Sequence, residues 1–317
     1  MMQRLIVLGA VLLVVQIGLL VKFNNESTVL KASTPDTLFL ALNPAEVSRI
    51  ELNGMENKRV ILERSEDGWI LPESFSAAAD SKQVEKLLEK LASVKQGLAV
   101  ATTAGAPKRF KTTRDNFERH LVIKAGDSTV GDFYLGSSAG FRHSHVRKAD
   151  QSEVVTLPIS NFELEIEADK WLDGDLAKLN KDEIKSLELT DIILTRNDTD
   201  WSVDTLKDEQ PDKEEVEKII TKVTGLAVQS VLDPQDVSSL FNGGELTQFT
   251  VTLNNDSKVT YNLAKQDDRY VLKMSNNDLY FKVNTFQAEG INEINLASLT
   301  KKNEDEEEEA TTVPAQH

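Results

Sequence analysis

Residues 69–94 read WILPESFSAAADSKQVEKLLEKLASV, and residues 201–226 read WSVDTLKDEQPDKEEVEKIITKVTGL. Each stretch opens on a tryptophan, reaches an aspartate at Asp80 or Asp212, and continues with Val84, Leu87, Leu88, Leu91 and Val94 against Val216, Ile219, Ile220, Val223 and Leu226. Upstream, Val60, Leu62 and Arg64 answer to Ile192, Leu194 and Arg196, and every pair is 132 positions apart. A register kept across a strand, a loop and a helix reads as one supersecondary unit present twice.

The apolar positions fall at i, i+3, i+4, i+7 and i+10, the stripe of a helix packed on one face. Lys82, Glu85, Lys86, Glu89 and Lys90 make up the opposite, solvated face. Asp80 precedes Gln83 and Asp212 precedes Glu215 by three residues, a start signal in both places: a side-chain acceptor followed by a group able to reach back. Trp69 and Trp201 read as core residues, since large aromatics dominate burial of this kind.

Before the helices, Val47, Ile50 and Leu52 are matched by Ile184, Leu187 and Leu189 at an offset of 137. The extra five residues fall between Leu52 and Val60, where a hairpin loop tolerates length change, so both copies are expected to open with two antiparallel strands. Leu38 to Leu42 adds a candidate edge strand. Residues 95–118, rich in Thr, Gly and Lys, read as an irregular connection. Beyond it lie short alternating segments around Leu121 and Ile123, Phe133 and Leu135, Val146, and Val154 to Leu157. Copy two answers with segments around Val251, Tyr261, Leu272 and Phe281, each set a meander. Ile159 to Leu179, with Trp171, closes copy one.

The expected fold class is α+β: two tandem modules, each an antiparallel sheet with one main helix packed on a face, plus an N-terminal transmembrane helix. The expected organisation is a membrane anchor over residues 1–22, a linker over 23–44, modules over 45–180 and 181–300, and a disordered acidic tail over 301–317. The length of 317 residues suits two domains of ordinary size.

The anchor rests on Leu5 to Val21, seventeen uncharged residues between Arg4 and Lys22. At about 1.5 Å per residue the run reaches roughly 26 Å, within the usual length range for a span. Lys22, Phe23, Asn24, Asn25 and Glu26 follow it rather than a small-x-small cleavage site, which favours an uncleaved anchor over a signal peptide. Arg4 and the amino terminus orient the remaining chain away from the cytoplasm. The expected location is therefore the bacterial cytoplasmic membrane, single-pass, with the bulk facing the periplasm or exterior.

The net charge is −16, from 52 acidic and 36 basic residues, and six of the negative charges sit at Glu304 to Glu309. This balance, with no basic stripe interleaved with aromatics, disfavours nucleic acid. No cysteine is present, which excludes disulfides, thiolate zinc sites, a thiol nucleophile and a lipidated cysteine.

The strand pairs ending in Trp69 or Trp201, the capped helix Asp80-x-x-x-Val84-x-x-Leu87-Leu88-x-x-Leu91, and the later Leu135-Gly136, His145-Val146-Arg147 and Val154-Val155-x-Leu157 resemble the bacterial domain-of-unknown-function family 4340 (DUF4340). The resemblance covers most of residues 45–300. It implies a protein with one amino-terminal membrane segment that serves as an accessory subunit of an ATP-driven transport system of the gliding-motility type. It implies no catalytic residues. Copy two departs from the pattern, with Leu263-Ala264-Lys265 in place of the Leu-Gly turn.

Two chemical motifs remain. Gly136-Ser137-Ser138-Ala139-Gly140 fits G-x-S-x-G, but an elbow needs a helix after it, and Phe141 to Val146 carries no helical stripe; a Gly/Ser hairpin turn is the preferred reading. His143 and His145 with Asp132 fall short of the three or four placed ligands that a metal site needs. No catalytic, cofactor-binding or metal-binding residue is assigned, and no cofactor is expected. The leading reading is a non-enzymatic, membrane-anchored extracytoplasmic protein that binds protein partners such as ABC-transporter subunits. The alternatives are a serine hydrolase using Ser138 with His143 or His145, and a binder of cell-envelope polymer.

Overall fold

The computed structural model describes residues 36–198, 200–204, 206 and 211–299, together with Gln16. The expected anchor, apart from Gln16, and the acidic tail lie outside these residues. Among the described residues no helix is long and apolar enough to cross a membrane.

In chain order the first set of elements is β1 (Arg49–Asn53), β2 (Arg59–Ser65), β3 (Gly68–Leu71), β4 (Ala77–Ala78), α1 (Ser81–Ser93) and β5 (Ala99–Ala101). It continues with β6 (Thr112–Thr113), β7 (Asn116–Phe117), β8 (Arg119–Ala125), β9 (Ser128–Gly140), β10 (His143–Lys148) and β11 (Val154–Leu157). The second set is β12 (Ile184–Leu189), β13 (Ile192–Asn197), β14 (Asp200–Val203), α2 (Lys213–Thr224), β15 (Val228–Leu232), β16 (Leu246–Leu253), β17 (Lys258–Gln266), β18 (Arg269–Met274), β19 (Asn277–Val283) and α3 (Thr285–Asn292).

A nine-stranded sheet has the order β4-β3-β2-β1-β8-β9-β10-β11-β5, and an eight-stranded sheet the order β14-β13-β12-β16-β17-β18-β19-β15. Apart from β4, the two orders are the same: a three-strand meander, a four-strand meander, and at the far edge the strand that follows the helix. The fold is thus mixed α+β and mostly antiparallel. By its contacts the chain divides into two compact units, one of Met1–Glu46, Gly54–Glu56 and Leu87–Leu164, the other of Val47–Asn53, Asn57–Lys86 and Glu165–His317.

The helices form where their stripes lie. Val84, Leu87, Leu88, Leu91 and Val94 are buried, as are Val216, Ile219, Ile220, Val223 and Leu226. The Asp80 carboxylate accepts from the Gln83 N–H at 3.1 Å; that of Asp212 accepts from Glu214 at 2.9 Å and Glu215 at 3.4 Å. The reciprocal half of the capping box is not made. The Gln83 amide donates to the Lys170 carbonyl at 3.2 Å, and the Glu215 carboxylate takes the Lys218 ammonium at 2.7 Å, because each cap amide already has a partner. Asp80 N–H donates to the Trp171 carbonyl at 2.7 Å and Asp212 N–H to that of Leu299 at 2.8 Å. Asp212→Ala is expected to lower stability by about 1 kcal/mol, while Asp212→Asn, which keeps an acceptor, stays near the parent; urea unfolding of the two variants checks this.

The sequence reading is corrected at four places. More than two strands precede each helix: in the first sheet Glu66 and Asp67 turn the chain and Trp69 then pairs with Arg64 from a strand of its own, which the short β4 joins, and in the second Trp201 pairs with Arg196 from β14. Leu38 makes only an isolated bridge to Lys95, and Phe39 N–H donates to the Val94 carbonyl at 2.8 Å; the Phe39 ring is buried edge-on to Phe133 at 5.5 Å. Within 95–118, β5, a helical turn at Ala106–Arg109 and the β6–β7 pair are ordered elements. Gly136 to Gly140 is the end of β9 rather than a turn, which comes at Phe141 and Arg142.

Candidate functional site

A cleft of about 680 Å³ opens at the β9–β10 hairpin tip. One wall is the two-residue loop Phe141-Arg142, between the paired Gly140 and His143. Gly140 has φ +125° and Arg142 φ +54°; the second is unusual for a residue with a side chain. The other wall is the helical turn after Ser160. The Glu163 carboxylate holds it by accepting from the Ser160 N–H at 2.9 Å and the Ser160 hydroxyl at 3.1 Å. Lys90, in the last turn of α1, completes the pinning through its ion pair with Glu163.

Burial pushes the Glu163 carboxyl up, but the Lys90 ammonium and the Ser160 N–H and hydroxyl outweigh it and hold it below its ordinary range. A carboxyl whose folded value is depressed contributes stability above its unfolded value, about 4.3, and loses it as pH falls through the folded value. The difference in urea midpoint between the parent and Glu163→Gln should therefore be constant above about pH 5 and shrink below about pH 4. A gap that persists unchanged to strongly acidic pH would contradict this account of the wall.

Two phenylalanines, one from each wall, stand in solvent: Phe141 is 86% and Phe162 85% exposed. Scattered exposed apolar residues are ordinary; these two line one cleft. The Arg142 guanidinium lies 5.3 Å from the Phe141 ring centre.

The residues weighed in the sequence for catalysis are arranged otherwise. Ser138 is exposed; its hydroxyl donates to the Gly140 carbonyl at 3.2 Å and lies 3.3 Å from the Gly140 N–H. His143 Nδ1 donates to the Phe141 carbonyl at 2.7 Å and His145 Nδ1 to that of Ser137 at 2.9 Å. Ser137, not Ser138, places its hydroxyl near His145, at 3.1 Å. Asp132 is paired with His120 Nε2 at 2.8 Å, and the stretch of β9 from it to Gly140 spans roughly 26 Å. Among the described residues no group of three or more His, Asp or Glu is placed to hold a metal ion.

The segments that carried the family resemblance serve packing. A Cβ at Gly136 would stand 2.0 Å from the Phe110 carbonyl oxygen and 2.6 Å from that of Lys111. Arg147 is 8% exposed. It donates to the carbonyls of Thr112 at 2.7 Å, Lys148 at 2.9 Å, Ala149 at 3.1 Å and Gln151 at 2.7 Å. Together they fasten the segment around residues 107–113 to β9 and β10. Asn161, Phe162 and Arg142 drew no notice in the sequence, because exposure of an apolar ring and want of a polar partner become visible only in three dimensions.

No curated protein and no solved structure matches the chain. The sequence model of the family described as a domain of unknown function (DUF4340) matches residues 69–266. That span is more than half of the chain, and it runs from Trp69 through both cleft walls to the last residue of β17; the chain belongs to the DUF4340 family.

Proposed function

We propose that this chain is a non-enzymatic, membrane-anchored extracytoplasmic protein built from two copies of one α+β module. It serves as an accessory or binding subunit of an ABC-type transport or gliding-like complex. The observation that carries the binding role is the cleft flanked by two solvent-exposed phenylalanines, an arrangement suited to contact with another molecule. The apolar run Leu5 to Val21 supports the tether. The shared strand order of the two sheets and the matched caps at Asp80 and Asp212 support the duplication. The transport setting comes from the resemblance to the family.

The bonding of Ser138 to its own turn and of both histidines to main-chain carbonyls favours binding over serine hydrolysis. Crosslinking in intact cells followed by identification of the attached proteins tests the proposal. Recovery of transporter subunits is the expected result. A hydrolytic turnover that disappears in Ser138→Ala overturns it in favour of the hydrolase, and recovery of envelope polymer alone overturns it in favour of a polymer binder. A reporter fused after His317 reads the side of the membrane on which the chain resides.

A further inference from the structure

We infer that the cleft between Phe141 and Phe162 holds an extended acidic peptide segment of a protein partner, with an apolar side chain between the two rings and a carboxylate on Arg142. This rests on the reading of the chain as a partner-binding protein and adds the chemistry of the partner.

One polar group at the cleft lacks a partner. The side-chain oxygen of Asn161 is buried without a hydrogen bond, the single such side-chain atom among the described residues. Buried polar groups are ordinarily satisfied. An acceptor without a partner, in a residue that lines the cleft, suits a ligand that brings its own N–H groups, which an extended main chain does at every residue.

The charge around the cleft selects the sign of that ligand. Glu163 is neutralised by Lys90, whereas the Arg142 guanidinium has no carboxylate partner among the described residues. The charge left facing an occupant is that of the guanidinium, positive, on a chain whose net charge is −16. A carboxylate suits a guanidinium by geometry as well as by charge. The exposed rings of Phe141 and Phe162 supply the apolar anchor site, the kind of pocket around which binding energy concentrates.

The test uses the detergent-solubilised full chain and fluorescein-labelled synthetic peptides: Glu-Glu-Leu-Glu-Glu, its Lys-Lys-Leu-Lys-Lys counterpart, and residues 302–311 of this chain, which are acidic but carry no large apolar residue. The acidic leucine peptide should bind at least tenfold more tightly than the other two. Arg142→Glu should reverse the preference between the acidic and basic leucine peptides, and Phe162→Ala should weaken both at least tenfold. Both side chains are exposed, so the thermal midpoint should stay at the parent value. Equal binding of the acidic and basic peptides, an unchanged preference in Arg142→Glu, or equal binding of the 302–311 peptide overturns the inference.

In cells, a photo-crosslinking amino acid is placed at Phe162 in one strain and at Phe286 in another, Phe286 being 84% exposed on α3. Capture of a transporter subunit from position 162 supports the inference. Capture from position 286 alone overturns the cleft while leaving the proposed function standing, and capture from neither overturns the proposed function.

Discussion

Gly136→Ala is expected to destabilise the protein by about 3 kcal/mol, at the upper end for overpacking a close-fitted site. The added carbon would meet two main-chain carbonyls, at 2.0 and 2.6 Å, and main chain cannot swing aside as a long side chain does. Relief requires the segment around Phe110 to lift. That would break the Ser137 N–H bond to the Phe110 carbonyl at 2.9 Å and separate the Phe110 ring from His145, now 4.2 Å apart between centres. Urea unfolding measures the loss, and limited trypsin digestion should show new cleavage at Lys108, Arg109 or Lys111. The matching change in the other sheet, Ala264→Gly, should cost only about 1 kcal/mol. A Gly136→Ala variant within about 0.5 kcal/mol of the parent would mean that the approach seen here is not maintained in solution.

The second large effect is expected at Trp69. Its ring is 1% exposed, its Nε1–H donates to Glu85 at 2.9 Å, and the same carboxylate takes Arg64 at 2.8 Å while the Arg64 guanidinium lies 4.6 Å from the ring centre. Trp69→Ala removes a buried aromatic and leaves a cavity, a loss of about 3–5 kcal/mol. Trp201 also lies beneath an arginine, Arg196, at 5.8 Å, but it is only half-buried. The residue matching Glu85 is Glu217, which pairs with Lys181 at 2.7 Å instead. Trp201→Ala should therefore cost about 1–2 kcal/mol, in proportion to the smaller area buried. Equal losses at the two positions would show that the difference in burial carries no energetic weight.

These two predictions also mark how much was legible beforehand. The helices were legible because a stripe at helical spacing behind an aspartate has few other uses, and every apolar position in both stripes is buried. The third strand was missed because Trp69 continues the apolar pattern of Val60 to Arg64, and only the turn at Glu66 and Asp67 separates them. The extension of β9 to Gly140 was missed for a related reason. Gly and Ser usually signal a turn, but here Gly136 is kept small by the main chain packed over it.

The cleft lies at the far end of that scale. Phe141, Arg142 and Phe162 read as unremarkable loop residues, and nothing in their spacing relates position 141 to position 162. Ser138 and His143, by contrast, matched a known pattern and line the cleft, yet are hydrogen-bonded to the main chain of their own hairpin.

Periodicity and repetition along the chain were enough to determine an α+β protein with two capped amphipathic helices and the family to which it belongs, because helix faces and strand alternation are local consequences of residue order. Which strands lie side by side, which glycine must remain a glycine, and which polar atoms are left without partners were decided only by the tertiary structure. Those properties depend on residues distant in sequence, such as Gly136 against Phe110 and Lys90 against Glu163, being brought within a few ångströms of each other.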